Sequence, residues 1–208
     1  VLVWRHGETV NPFRYKKDPG KPSPTPAGPP PPEPILVPAP HPATIDERAL
    51  ADQCDFSKDR AGGPGGQHRN KVESRVTVLH IPTQVEAHAG ERRSAVDNRR
   101  VALFRLRLLL AVNVRTPVPA GEVRSDLWRS RCPDSAGGKI ACNSEHHDYP
   151  AMLAEALDLV WASGLDVGKA ALRLSASSSQ LLKLIKDHPA AFVRLNQARD
   201  AQGLHKLR

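Results

Sequence analysis

The segment Gly62-Gly63-Pro64-Gly65-Gly66-Gln67 places four glycines in six residues and is followed by His68-Arg69-Asn70-Lys71. Glycine admits backbone angles that a β-carbon forbids and lets a main chain approach a partner closely. Backbone amides presented this way can hold a phosphate or stabilise a developing oxyanion. A phosphate-binding P-loop needs Gly-Lys-Ser/Thr after its second glycine, and a dinucleotide fingerprint needs a preceding strand within a βαβ unit. Here the glycines end in Gln-His-Arg-Asn-Lys, so neither nucleotide motif is met. The plain alternative is a flexible surface turn. His68 is a candidate base, because a free imidazole ordinarily titrates near neutrality; packing is preferred for it over that role.

Three other groups could carry chemistry. Cys132, Cys142, His146 and His147 offer four zinc donors, but the spacing C-x9-C-x3-His-His fits no established zinc motif, so no metal and no cofactor are expected. Val1–Asn11 (VLVWRHGETVN) resembles the strand and Arg-His-Gly start of the histidine phosphatases, yet a proline tract follows where that α/β domain should continue. Ala170-Ala171-x2-Leu174-x2-Ser177-x3-Leu181 faintly resembles a helix-turn-helix, with Ser175 in place of the turn glycine and no basic character. A small helical unit is the expectation there.

The elements around the glycine cluster read as α+β. Asp46–Leu50 forms a short helical turn, and Cys54–Lys58 is extended. Arg75–Ile81 (RVTVLHI) is rich in β-branched residues and is a strand. Pro82-Thr83 turns the chain, and Gln84–Ala89 alternates as a half-buried partner strand. Ser94 or Asp97 caps a helix running to about Val112. That helix is apolar around most of its circumference, so it packs on the sheet with one face and on a second layer with another. From Pro150 the pattern is helical again, with Gly164 as a stop and shorter helices near 166–174, 178–187 and 190–201.

Charge and proline are both concentrated. The chain has 208 residues, 30 Lys and Arg against 22 Asp and Glu. Residues 60–131 carry 14 basic and 6 acidic side chains, while the flanking segments stay within one charge of neutral. A localised positive field attracts polyanions, nucleic acid above all. Thirteen of the 20 prolines lie between Pro12 and Pro42, so residues 1–43 are expected to be a disordered, largely polyproline II tail. Three cysteines make no disulfide framework. No apolar run approaches the ~18 residues of a membrane span, and Val1–Arg5 is too short for the apolar core of a secretory signal. A cytoplasmic or organellar compartment is expected.

In order, GGPGGQHRNKVESRV resembles the signature of the GGQ domain of class I peptide-chain release factors and their shorter ribosome-rescue relatives. RVTVLHIPTQVEAHA is similar to the strand, Pro-Thr turn and strand that follow in that domain, and ERRSAVDNRRVALFRL to its Arg-Ser-x3-Asn element and helix. The likeness covers about Asp46–Ala111. Gln84 stands where the family often has Gly, and Arg69 where many relatives have an apolar residue.

The resemblance implies a small GGQ domain at 44–112, a short mixed sheet packed on a long helix, followed by a linker at 113–149 and a helical region at 150–208. It implies ribosome-dependent hydrolysis of the peptidyl-tRNA ester. Gly65 and Gly66 would let the backbone enter the site. The Gln67 amide would stabilise the transition state, and its side chain would exclude larger nucleophiles. His68, Arg69, Asn70, Lys71, Arg75, Arg92, Arg93, Arg99 and Arg100 would bind RNA. Gln67 would be open to N5-methylation by a glutamine methyltransferase. The partners would be the large ribosomal subunit and peptidyl-tRNA, with no membrane involved and the protein monomeric. No codon-reading domain or stop-codon tripeptide is recognised, so codon-independent release is the expectation. Residues 132–208 lack the basic tail with which a rescue factor would enter the mRNA channel, so that mode is not supported. The alternative is a non-catalytic ribosome- or RNA-binding module that retains the motif.

Overall fold

A computed structural model describes residues 33–59 and 74–208. The elements are β1 (Ile35–Leu36), α1 (Glu47–Ala51), β2 (Cys54–Asp59), β3 (Arg75–His80), β4 (Val85–Ala89), α2 (Ala95–Asn113), β5 (Val114–Arg115), α3 (Asp126–Arg131), a 3-10 turn (Asp134–Ala136), α4 (Tyr149–Ala162), α5 (Val167–Arg173), α6 (Ser178–Lys186) and α7 (Pro189–Ala201). The class is α+β.

Alternation in β3 sends Val76, Val78 and His80 inward, as a strand with one covered face requires. β3 pairs antiparallel with β2 on one side and β4 on the other. The expected mixed sheet is thus corrected: this sheet is antiparallel throughout, and the parallel pairing lies in a separate pair, β1 with β5. Short connections between sequential strands favour the antiparallel arrangement.

The β3–β4 turn places Gln84 at φ 57°, the left-handed region where the family glycine would sit without strain. His80 supports the turn from beneath. Its Nδ1 lies 2.7 Å from Thr83 Oγ1 and its Nε2 3.2 Å from Gln53 Oε1. A carbonyl oxygen only accepts, so Nε2 carries the hydrogen and the Thr83 hydroxyl donates to Nδ1. Burial lowers the His80 pKa, which keeps the ring neutral.

Ser94 caps α2, its Oγ accepting from Asp97 N at 3.4 Å. Asn98, Ala102, Leu106 and Leu110 recur at i+4 along the buried side of the helix. One face of α2 packs on β3 and β4, and another on α4, which is why the helix is apolar around so much of its girth. α4 is buried along nearly its whole length, from Tyr149 to Val160. α5, α6 and α7 follow close to their expected limits, and Ser175 takes φ 50° in the turn between α5 and α6.

Two expected boundaries move. The folded part starts before Thr44: Ile35-Leu36 pairs with Val114-Arg115, and His41 and Ala43 are buried. Once proline density falls after Pro34, Ile35-Leu36-Val37 has free amides to pair. The expected linker at 113–149 also folds. It holds β5 and α3 and buries Trp128, Cys132 and Ile140; Trp128 Nε1 donates to Leu174 O at 2.9 Å. A single hydrophobic cluster runs from Leu50 and Val78 through Leu106 to Leu153 and Leu195. The sheet and the C-terminal helices therefore share one core.

Candidate functional site

Gly65, Gly66, Gln67, His68, Arg69, Asn70 and Lys71 lie outside the described residues. The neck of their loop is described. It opens from β2 at Asp59 and returns to β3 at Arg75, two positions paired in register. The antiparallel ladder behind them, Lys58 with Val76 and Ser57 with Thr77, fixes the width and direction of that neck.

Beside the neck, β4 ends at Ala89, opposite Val76. Gly90 follows, packed so closely on Arg75 that a β-carbon there would come within 3.3 Å of Arg75 Cβ and Cγ. The chain then turns through Glu91, Arg92 and Arg93 into α2. Asn98, fully buried in the first turns of that helix, reaches back to both segments. Its Oδ1 accepts from Arg92 N at 2.9 Å, and its Nδ2 donates to Arg92 O at 2.9 Å and to Ser74 O at 2.5 Å.

The described arginines of the candidate set do not share one role. Arg92, Arg93 and Arg100 are exposed, and among the described residues none of them forms an ion pair. Arg99 lies over the Phe56 ring, its Cζ 3.9 Å from the centroid, so part of its cation is spent on an intramolecular contact. Arg75 is half-buried against Gly90, and its Nε has no hydrogen-bond partner among the described residues. Glu91, the acid of this turn, is engaged elsewhere. The Gly90 amide donates to it at 2.9 Å, and Arg105 pairs with it at 2.5 Å. These contacts hold its carboxyl below the usual range. The surface beside the neck therefore keeps an excess of positive charge suited to phosphates.

No thiol near the site is poised as a nucleophile. Burial pushes Cys54 up to about 11, and Arg99 offsets this only in part. Cys132 and Cys142 are likewise raised by burial. The four candidate zinc donors do not converge. Among the described residues the compact donor group is His146, His147 and Asp148, without either cysteine. Asp148 is already held by Arg131, at 2.6 Å and 3.0 Å.

Residues 45–128 match the family described as the RF-1 domain. Over this segment the chain resembles the class I release factor family. The segment takes in α1, the sheet, α2 and the start of α3, and so the neck, Asn98 and every described arginine of the candidate set. The chain is 40% identical over 77 residues to "Peptide chain release factor PrfB1, chloroplastic" of Arabidopsis thaliana, covering 36% of this chain and 17% of that protein. It is 44% identical over 82 residues to peptide chain release factor 1 of Acidiphilium cryptum, covering 38% and 23%. The mitochondrial peptide chain release factor 1 of Bos taurus is 37% identical over 71 residues, covering 34% and 16%. The chain thus spans no more than 23% of the length of these relatives.

Sequence reasoning quoted the Arg-Ser-x3-Asn pattern of the RF-1 domain but gave Asn98 no role. The available signal was its residue type: Asn is a poor helix interior residue unless its side chain has a backbone partner. The Glu91–Arg105 pair spans 14 positions and carries no local periodicity that could have announced it.

Proposed function

We propose that the RF-1 domain of this chain releases nascent peptides by hydrolysing the peptidyl-tRNA ester on the large ribosomal subunit, without reading a codon. The observation that carries this reading is the sheet neck, Asp59 paired with Arg75, from which the glycine segment departs. That neck lies inside the RF-1 match, and Asn98 ties it to the turn bearing Arg92 and Arg93, which form no ion pair among the described residues.

Water adds to the ester carbonyl carbon, the acyl C–O bond breaks, and the tRNA hydroxyl leaves with a proton. In this reading the Gln67 backbone amide donates to the oxyanion that forms on the carbonyl oxygen, a contribution of roughly 3–4 kcal/mol for one well-placed donor. Gly65 and Gly66 admit the backbone to the reacting ester, and the Gln67 side chain limits the cavity to a nucleophile the size of water. Arg92, Arg93 and Arg100, with Arg69, Asn70 and Lys71 of the loop, bind rRNA and tRNA phosphates. His68, Arg75 and Arg99 complete the RNA-facing set. Gln67 is also the proposed substrate of a glutamine methyltransferase, and the factor acts as a monomer in the cytoplasm or an organelle. No helix among the described residues is long and apolar enough to cross a membrane.

The proposal of codon independence comes from the sequence, in which no stop-codon tripeptide is recognised. Residues 129–208 lie outside the RF-1 match, and of their helices α4 and α7 pack against α2. The test is release of labelled peptide from three complexes: a stop codon in the A site, a truncated mRNA, and a large subunit holding peptidyl-tRNA alone. Release from either codonless complex supports the proposal. Release confined to the stop-codon complex overturns codon independence. Binding without release on any of the three indicates a non-catalytic ribosome-binding module.

A further inference from the structure

The Asn98 carboxamide has its orientation dictated by its partners. Two carbonyl oxygens face one end and can only accept, and one N–H faces the other end and can only donate. Two of its three bonds go to a single residue, Arg92, whose N–H and C=O are both satisfied as a neighbouring strand would satisfy them. The third goes to Ser74 O, immediately before Arg75 at the neck. The helix cap does not explain this arrangement, because Ser94 supplies the cap. Helix propensity does not explain it either, since Asn is disfavoured within a helix.

We infer that Asn98 is a positioning residue that locks the exit strand of the glycine loop to the turn bearing Arg92 and Arg93. The grip on polyanion and the point where the chain enters β3 are thereby set together. Movement of the arginine turn pulls on Ser74 through one planar amide, and the reverse holds. The catalytic consequence rests on the peptide-release function proposed above; the mechanical coupling does not.

Asn98→Ala removes all three bonds, and Asn98→Ser, the milder replacement, shortens the side chain so that it spans neither gap. Val78→Ala, in the sheet core, serves as a variant destabilised elsewhere. Hydrogen–deuterium exchange on the full chain is run at a temperature where all three variants are folded. The expected result is acceleration of about tenfold or more at residues 74–76 and 90–94 together in both Asn98 variants, but not as a paired effect in Val78→Ala. In peptide release, turnover at saturation should fall at least about tenfold in the Asn98 variants, while the half-saturating concentration changes far less. A merely structural role would lower the folded fraction and leave the turnover of bound, folded factor intact.

Unchanged or unpaired exchange in the two segments overturns the inference. So does wild-type turnover of bound Asn98→Ala in an assay where Gln67→Pro, which lacks the backbone donor, is inactive. If wild-type protein releases nothing, the functional proposal fails by itself, and the paired exchange still decides the coupling.

Discussion

Arg115 and Asp158 meet inside the core, Nη1 3.3 Å from Oδ1, at 3% and 7% side-chain exposure, and so join β5 to α4. Arg115 also donates to the carbonyls of Ala111 and Val112 at 2.8 Å and 2.7 Å and lies over the Trp161 ring. Asp158 accepts from Thr116 N and Oγ1. Burial brings the Arg115 pKa down to about 10, so it remains a cation at neutral pH. The last strand of the RF-1 domain is thus tied electrostatically to a helix outside it.

Asp158→Ala should destabilise the whole chain by roughly 3–5 kcal/mol, because it leaves a buried charge without its partner. Urea unfolding followed by far-UV and tryptophan signals should give one shifted transition, since the sheet and helices share a core. Two separate transitions would contradict the single-core description.

In the β3–β4 turn Gln84 holds a positive φ. A non-glycine residue at φ 57° carries strain of roughly 1–2 kcal/mol. Glycine relieves it but loses more entropy on folding, about 0.5–1 kcal/mol. The exposed bond from Gln84 Nε2 to Ile81 O, 2.7 Å, adds little in water. Gln84→Gly should therefore stabilise by about 0.5 kcal/mol, and Gln84→Val should destabilise. Chemical denaturation that ranks Val above Gly would refute the turn geometry.

Acid should weaken the fold through three histidines. Burial lowers the pKa of His41, His80 and His188 below their ordinary value. Between the lowered folded value and about 6.5 the unfolded chain binds more protons, so stability rises with pH through that window. It is complete above about 6.5 and lost as pH falls toward the folded values. The urea midpoint should drop between pH 7 and pH 5, and His80→Gln should reduce the drop. A flat profile over that range would count against the neutral buried rings.

Much of this architecture was legible in the sequence, for identifiable reasons. Arg75–His80 alternates cleanly, Ser94 is a strong cap, and Pro150 and Gly164 bracket α4. What failed was local reasoning about segments held by distant partners. Ile35-Leu36 becomes a strand only because Val114-Arg115 lies beside it, 79 positions on in the chain. Trp128 is buried through a contact with Leu174, and the stretch around it reads as loop because its prolines and glycines dominate any short window. At the site, the glycine motif and its arginines were readable as types in order. Their division into exposed cations, a stacked Arg99 and a wedged Arg75 depends on Phe56 and Gly90, which no spacing rule connects to them.

Ribosome affinity should respond to salt in proportion to the unpaired arginines. Arg92→Ala, Arg93→Ala and Arg100→Ala should each reduce the slope of log affinity against log salt by roughly 0.7–0.9. Arg105→Ala should weaken binding differently, by leaving the Glu91 carboxylate unneutralised beside Arg92. Filter binding to large subunits over a salt series measures both. An unchanged slope in all three single variants would remove this surface from the interface.

The most direct measurement is single-turnover release of labelled peptide from large subunits holding peptidyl-tRNA, with wild-type protein beside Gln67→Pro, which has no backbone N–H at position 67, and binding measured on the same complexes. The expected result is rapid release by the wild type and a loss of about 100-fold or more in the variant, as expected when an oxyanion donor is removed, at equal occupancy. Equal release by the two proteins, or a loss that follows occupancy alone, would contradict the assignment of peptide hydrolysis to the glycine loop.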